Sequence, residues 1–300
     1  MQNEAIRKAL DETAQALMRF GGENEFLTYP GRGLPDREAI VRVTRTLRSA
    51  MFPGFFDIPA AHDNPYALPA ALSNACQLLL EQAESAFGTR NPQIEARRLA
   101  EEAIEGFVKA LPEVQRLLST DVEALYNGDP AAHSHVDVIF SYPGLLAISV
   151  YRLAHELYRL NVPLIPRMMT EYAHEKTGID INAGATIGNH FFIDHGTGVV
   201  IGETTVIGDQ VKLYQGVTLG ALSTRKGQLL KGIKRHPTIG SRVTVYSGAS
   251  ILGGETVIGD DCIIGSNAFV TGSVPPCTRV MNARSELSFR KMNADVWENS

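Results

Sequence analysis

The chain has 300 residues, 44% hydrophobic and 20% charged, with a formal net charge of −5. A composition of this kind suits a folded chain of one or two domains and speaks against intrinsic disorder. The acidic balance argues against a nucleic-acid partner, whose phosphates call for a basic face, and leaves small molecules or other proteins.

The first residues, MQNEAIRKAL, lack the apolar segment and cleavage site of a secretory signal, so a cytoplasmic chain is expected. Up to residue 176 apolar residues recur at three and four, the spacing that gathers them on one helical face. Helices are predicted over 3–19, 37–51, 69–87, a segment after Asn91-Pro92, 113–126, 144–160 and 164–175, separated by the turn-forming stretches GGENEF, YPGRGLP and FPGFFDIP. After Asn91-Pro92, the residues Ile94, Leu99, Ile104, Phe107, Val108 and Leu111 make an apolar stripe, with Asn91 read as N-cap and Pro92 as the first helical residue. The longest apolar run, 138–150, is broken by Ser141, Pro143 and Gly144 and is far short of the roughly 20 residues a spanning helix needs, so no membrane partner is expected. Residues 1–176 therefore read as an α-helical domain with a structural or oligomerising role.

From Ile179 the pattern changes to six-residue units: INAGAT, IGNHFF, IDHGTG, then IGETTV, IGDQVK, LYQGVT, and after a gap IGSRVT, VYSGAS, IGDDCI, IGSNAF. Ile181, Ile187, Ile193, Ile201, Ile207, Leu213, Leu219, Ile239, Val245, Ile251, Ile258, Ile264 and Val270 hold one position in this register. An aliphatic residue every sixth place can face a common axis only if each unit forms one side of a three-sided coil. An α-helix would need a period of 3.6 and would be disfavoured by so much Val, Ile, Thr and Gly. The prediction is an α+β chain: a helical domain, a parallel β-helix over 177–280, and a tail over 281–300. Cys76, Cys262 and Cys277, odd in number and without a C-x-x-C pair, read as reduced structural thiols.

Three breaks in the register are candidate binding features. They are an extra pair assigned to Val199-Val200, the polar stretch 221–238, which must leave the prism as a loop, and one extra residue in ILGGETV.

The residues around these breaks carry a resemblance. IDI at 179–181, IDHGTGVVIGET at 193–204, YQGVTLG at 214–220, RHP at 235–237 and GDPAA at 128–132 resemble the serine O-acetyltransferase family in order and approximate spacing. The resemblance implies a left-handed β-helix, against the usual right-handed crossover, and transfer of acetyl from acetyl-CoA to the hydroxyl of L-serine within a ternary complex. It implies His195 as general base with Asp180 as its orienting carboxylate. Asp129 and Asp194 would take the acceptor's ammonium, and Arg235 and His236 its carboxylate, with Glu203 nearby. Asp129, before Pro-Ala-Ala, also reads as a helix N-cap, and Glu203 as a solvated turn acid.

By the same resemblance Ala221, Ser247, Gly248 and Ser266 fall along the groove for the acetyl-CoA arm. The chain departs from the family at the far end of that groove, where Ile263 replaces a basic residue and MNARS at 281–285 replaces G-V-P-A-R. Lys226, Lys231, Lys234 and Arg284 are substitutes for the phosphate contacts. The family forms trimers or dimers of trimers, so a homo-oligomer is expected. It docks a sulfhydrylase through a C-terminal isoleucine, which the ending DVWENS does not offer. No metal is expected. Homoserine as acceptor, a γ-type carbonic anhydrase using His190 and His195, and a non-enzymatic scaffold stand as the other readings.

Overall fold

The computed structural model describes residues 2–29, 33–223, 225 and 227–282. Lys226, Arg284 and the tail beyond residue 282 lie outside the described residues. Helices come first in the chain: α1 (Gln2–Glu23), α2 (Arg37–Met51), α3 (Ala67–Gly88), α4 (Gln93–Gly128), α5 (His135–Ser141), α6 (Pro143–Arg159) and α7 (Ile165–Thr177).

Three details differ from the sequence reading. α4 runs unbroken through Pro112, where two helices were expected. Its buried stripe, Phe107, Leu111, Val114, Leu118, Val122 and Leu125, keeps its three-four spacing across the proline. That burial outweighs the roughly 3 kcal/mol a proline costs inside a helix, and Pro112 and Val108 both face solvent, where water can take the freed carbonyl. At the start of α4, Pro92 occupies the N-cap position and its carbonyl accepts from the Ala96 amide, while Asn91 donates its side-chain amide to Phe87 O at the end of α3. The short helix α5 was not expected; Ser134 caps it by accepting from the Asp137 amide at 3.1 Å.

The strands coil into a three-sided left-handed parallel β-helix. Its first side stacks β1 (Asp180–Ile181), β4 (Val200–Ile201), β7 (Thr218–Gly220), β10 (Ser250–Leu252) and β13 (Phe269–Val270). The second stacks β2 (Thr186–Ile187), β5 (Val206–Ile207), β8 (Thr238–Ile239) and β11 (Val257–Ile258). The third stacks β3 (Phe192–Ile193), β6 (Lys212–Leu213), β9 (Thr244–Val245), β12 (Ile263–Ile264) and β14 (Arg279–Val280). All thirteen aliphatic positions of the six-residue register point inward, none more than 8% exposed. The polar stretch after β7 leaves the prism at the edge between the first and second sides and returns at β8.

The register corrects the position of the first break. Gly216 donates its amide to Thr197 O and Val200 to Val217 O, so Val199-Val200 match Val217-Thr218 of the next turn. The two extra residues therefore lie in Asp194-His195-Gly196-Thr197, which stands where Tyr214-Gln215 stand one turn later.

A buried ion pair ties the helices to the coil. Arg152 of α6 (4% exposed) holds both carboxylate oxygens of Asp121 of α4 (0%) at 2.6 and 2.8 Å, and donates to Ile187 O and Gly188 O. Asp121 in turn accepts the Phe191 amide at 2.9 Å. Among the described residues no single helix is long and apolar enough to cross a membrane. Cys76, Cys262 and Cys277 are free thiols.

Candidate active site

The predicted residues fall on two edges of the prism. His195 sits on the edge between the third and first sides, the 3–1 edge, inside the two-residue bulge, with φ of +56° followed by Gly196 at +81°. A left-handed φ is not by itself a mark of function here, because His190, Gln210, Arg242, Asp261 and Asn267 adopt the same conformation at other corners. What singles out His195 is that the bulge lifts its side chain to 70% exposure.

Among the described residues its nearest carboxylate is Asp194, Oδ1 to Nδ1 at 3.6 Å, too long for a hydrogen bond. Asp180, the expected orienting group, instead faces Arg167 of α7 at 3.4 Å. No hydrogen bond joins Asp180 to His195 within the chain. Arg167 also pairs with Glu171, so although Glu171, His174 and Asp180 approach closely enough to share a cation, a guanidinium already serves two of these carboxylates.

Asp129 reaches the same edge from the end of α4. A side chain on Gly128 would lie 2.5 Å from the Phe192 ring, so only glycine lets the helix end press against β3. Asp129 does not start a helix. Its Oδ1 accepts the Ala131 amide at 2.8 Å and its Oδ2 the Tyr142 hydroxyl at 2.5 Å, and these bonds, the phenol first, hold its carboxyl below the usual range. His195 lies near enough to add to that effect. Tyr142 is pushed up by burial, then by its hydrogen bond to Asp129 and the carboxylate charges nearby, and Tyr214 by burial and then the Asp194 charge.

The other group gathers on the 1–2 edge, where the loop returns to the prism. Arg235 pairs with Glu203 through a short contact, and Tyr158 of α6 donates to the other Glu203 oxygen at 3.1 Å. Glu203 is thus a partnered acid rather than a solvated one. His236 is 8% exposed and packs its ring over Gly202, where a Cβ would meet Cδ2 at 2.1 Å. Burial first, then the Arg235 charge, pushes its pKa down to about 4. Arg235 and His236 therefore offer one cation and one neutral donor, not two charges.

The residues of the expected acetyl-CoA groove divide in the same way. Ser247, Gly248 and Ser266 follow one another up the 3–1 edge, with the two serine hydroxyls 3.4 Å apart, while Ala221 opens the loop on the 1–2 edge. Lys234 is turned inward and its ammonium donates to the carbonyls of Thr204, His236 and Pro237, so it is not a free phosphate ligand. His190 lies on the 2–3 edge against α4, its amide bonded to Thr120 Oγ1, and shares no cluster with His195 within the chain.

Tyr142, Tyr158, Thr204 and Arg167 were not singled out from the sequence. Each acts by touching a residue distant in the chain, and none carries a local signal of its own. Thr204 alone stood inside a quoted motif.

No protein-family model matches the chain. It is 46% identical, over 73% of its length and 72% of the relative's, to a plasmid serine acetyltransferase of Synechococcus elongatus. It is also 46% identical to serine acetyltransferase of Bacillus subtilis, over 44% of this chain and 58% of that protein. Among solved structures, serine acetyltransferase isoform 3 of Entamoeba histolytica in complex with cysteine matches with a TM-score of 0.74 at 35% identity, covering 91% of this chain and 89% of that one. Neisseria gonorrhoeae serine acetyltransferase in complex with serine matches at 0.55 and 27% identity, over 82% of this chain and 97% of that one.

Proposed function

The chain belongs to the serine acetyltransferase family, and from that premise we propose that it transfers acetyl from acetyl-CoA to the hydroxyl of L-serine at a site completed by two neighbouring subunits. The observation that carries this reading is the division of the candidate residues between two edges. Asp129, Asp194 and His195 occupy the 3–1 edge, and Glu203, Arg235 and His236 the 1–2 edge. A ring of three prisms sets the 3–1 edge of one subunit against the 1–2 edge of the next, in a head-to-tail contact that closes on itself. Two such trimers joined through their helices would make the hexamer.

In that frame the acceptor's ammonium lies between Asp129 and Asp194, and its carboxylate meets the fork of Arg235 and the Nε2–H of His236. His195, exposed on its bulge, takes the hydroxyl proton as the new C–O bond forms, a contribution of about 10²–10⁴-fold. As the C–S bond breaks, that proton passes to the departing thiolate. Asp180 orients the imidazole once its side chain turns from Arg167. Acetyl-CoA supplies the thioester, and Ser247, Gly248 and Ser266 on one edge with Ala221 on the facing edge would hold its arm. The same division of the groove residues supports this placement. A cytoplasmic setting fits the free thiols.

A thiol-release assay with acetyl-CoA against serine, homoserine and threonine tests the reading. Serine should be preferred, and His195→Ala should lose turnover while still binding acetyl-CoA. A near wild-type rate in that variant removes His195 from the mechanism, and a preference for homoserine reassigns the acceptor.

A further inference from the structure

The loop that carries Arg235 and His236 is fastened to the prism at one residue. Thr204 Oγ1 accepts the amides of Arg235 at 2.9 Å and His236 at 3.1 Å, and lies 2.9 Å from His236 Nδ1. The Thr204 amide donates to the same Nδ1 at 3.0 Å. An amide N–H can only donate, so Nδ1 must present a lone pair, and the single proton of the neutral ring sits on Nε2. Among the described residues Nε2 has no acceptor.

Lys234 completes the fastening from behind. Its three ammonium protons meet three carbonyl oxygens, Thr204 O at 2.7 Å, His236 O at 2.5 Å and Pro237 O at 3.2 Å. These bonds join the strand that ends the loop to the turn of the coil below it. The positive charges of Arg235 and Lys234 both oppose protonation of His236. A second proton on the ring would also have to sit on Nδ1, facing the Thr204 N–H.

We propose that Thr204 and Lys234 are positioning residues for acceptor recognition: together they hold His236 as an Nε2–H donor beside Arg235, in the geometry that receives a carboxylate. Both residues spend their polar groups on the loop itself, so they act on acceptor binding and not on the chemical step. The inference rests on the reading that Arg235 and His236 hold the acceptor's carboxylate, and it extends that reading to what makes the pair work.

Three variants in the full-length protein test it: Thr204→Val, Thr204→Ser and Lys234→Met. Steady-state kinetics should show KM for serine raised roughly tenfold in Thr204→Val, the size of one hydrogen bond to a charged group, with kcat within about twofold and KM for acetyl-CoA unchanged. Thr204→Ser, which keeps the hydroxyl, should restore the wild-type KM. Lys234→Met should show the same split and faster amide exchange over 234–236. Nitrogen-15 NMR of the histidines should report His236 as Nε2–H in the wild type and still in Thr204→Val, which keeps the residue-204 amide that donates to Nδ1, while the amides of Arg235 and His236, freed from Oγ1, exchange faster in that variant.

Unchanged serine KM and unchanged amide exchange at Arg235 and His236 in Thr204→Val, alongside a raised serine KM in His236→Gln, would overturn the positioning role and leave the carboxylate reading standing. Amide exchange at Arg235 and His236 that follows Thr204 while His236→Gln leaves serine KM untouched would show the reverse, a held ring that does not bind the acceptor, and would overturn the proposal. Equal losses in kcat and in both KM values would mean that Thr204 only supports the fold, and would also overturn the proposal.

Discussion

A mixing experiment distinguishes a shared site from one closed within a single chain. Between the 3–1 edge at Gly198 and the 1–2 edge at Glu203 the chain is extended, and about five residues at roughly 3.3 Å each separate the edges by about 16 Å. The ammonium and carboxylate of an amino acid hang from one carbon, so His195 and Arg235 of the same chain cannot serve one serine molecule. His195→Ala spoils the 3–1 edge, and Arg235→Glu spoils the 1–2 edge by setting two carboxylates against the acceptor's own. Each variant alone should be inactive. In trimers assembled at random from equal amounts, about one interface in four pairs an intact 3–1 edge with an intact 1–2 edge. The mixture should therefore recover about a quarter of the wild-type rate in the thiol-release assay, with a wild-type KM for serine at the recovered sites. Native mass spectrometry of differently tagged subunits confirms that mixed trimers have formed. Mixed trimers without recovered activity would refute the shared site.

Asp180→Asn should lower kcat by roughly 10²-fold or more with little change in serine KM, whereas Asp194→Asn should chiefly raise that KM; the opposite pattern would exchange the two roles. His236, held near pKa 4 in the folded chain and near its ordinary 6.5 when unfolded, binds fewer protons folded than unfolded between those values. Its contribution to stability is therefore present above about pH 6.5 and lost as pH falls towards 4, up to about 3 kcal/mol in all. Urea titrations from pH 7 to 4 should show a smaller acid loss in His236→Gln than in the wild type, and equal losses would remove His236 as the cause. Arg152→Met strands a buried carboxylate at Asp121 and should cost roughly 3–5 kcal/mol by urea denaturation; a loss below about 1 kcal/mol would mean that the ion pair is not what holds α4 and α6 to the coil.

The β-helix was legible because one physical requirement repeats: each side must bury an aliphatic residue, and thirteen positions say so in register. The helices were legible in outline for the same reason, through a three-four stripe. Where the reading failed, a contact distant in sequence had overridden a local signal. Pro112 is a helix breaker by its own chemistry, yet the stripe from Phe107 to Leu125 continues past it because α3 and α6 cover that face. Asn91 looks like an N-cap until the end of α3 comes close enough to take its side chain.

The candidate site shows a different limit. Period and motif place a residue along one chain, but they do not say which edge of a three-sided coil it reaches once residues have been inserted. Taking IDHGTG as one complete six-residue unit put the extra pair at Val199-Val200. The hydrogen bonds put it at the imidazole instead, and the difference matters chemically. An unbulged corner would present a side chain where Tyr214 and Tyr246 stack, ring on ring at 5.2 Å, against its own prism. Asp194 takes that place in the register, and the bulge carries His195 beyond it, without a side-chain hydrogen-bond partner among the described residues. On the proposed reading, a base that meets an acceptor held by another subunit has to stand clear of its own, and the two inserted residues allow it.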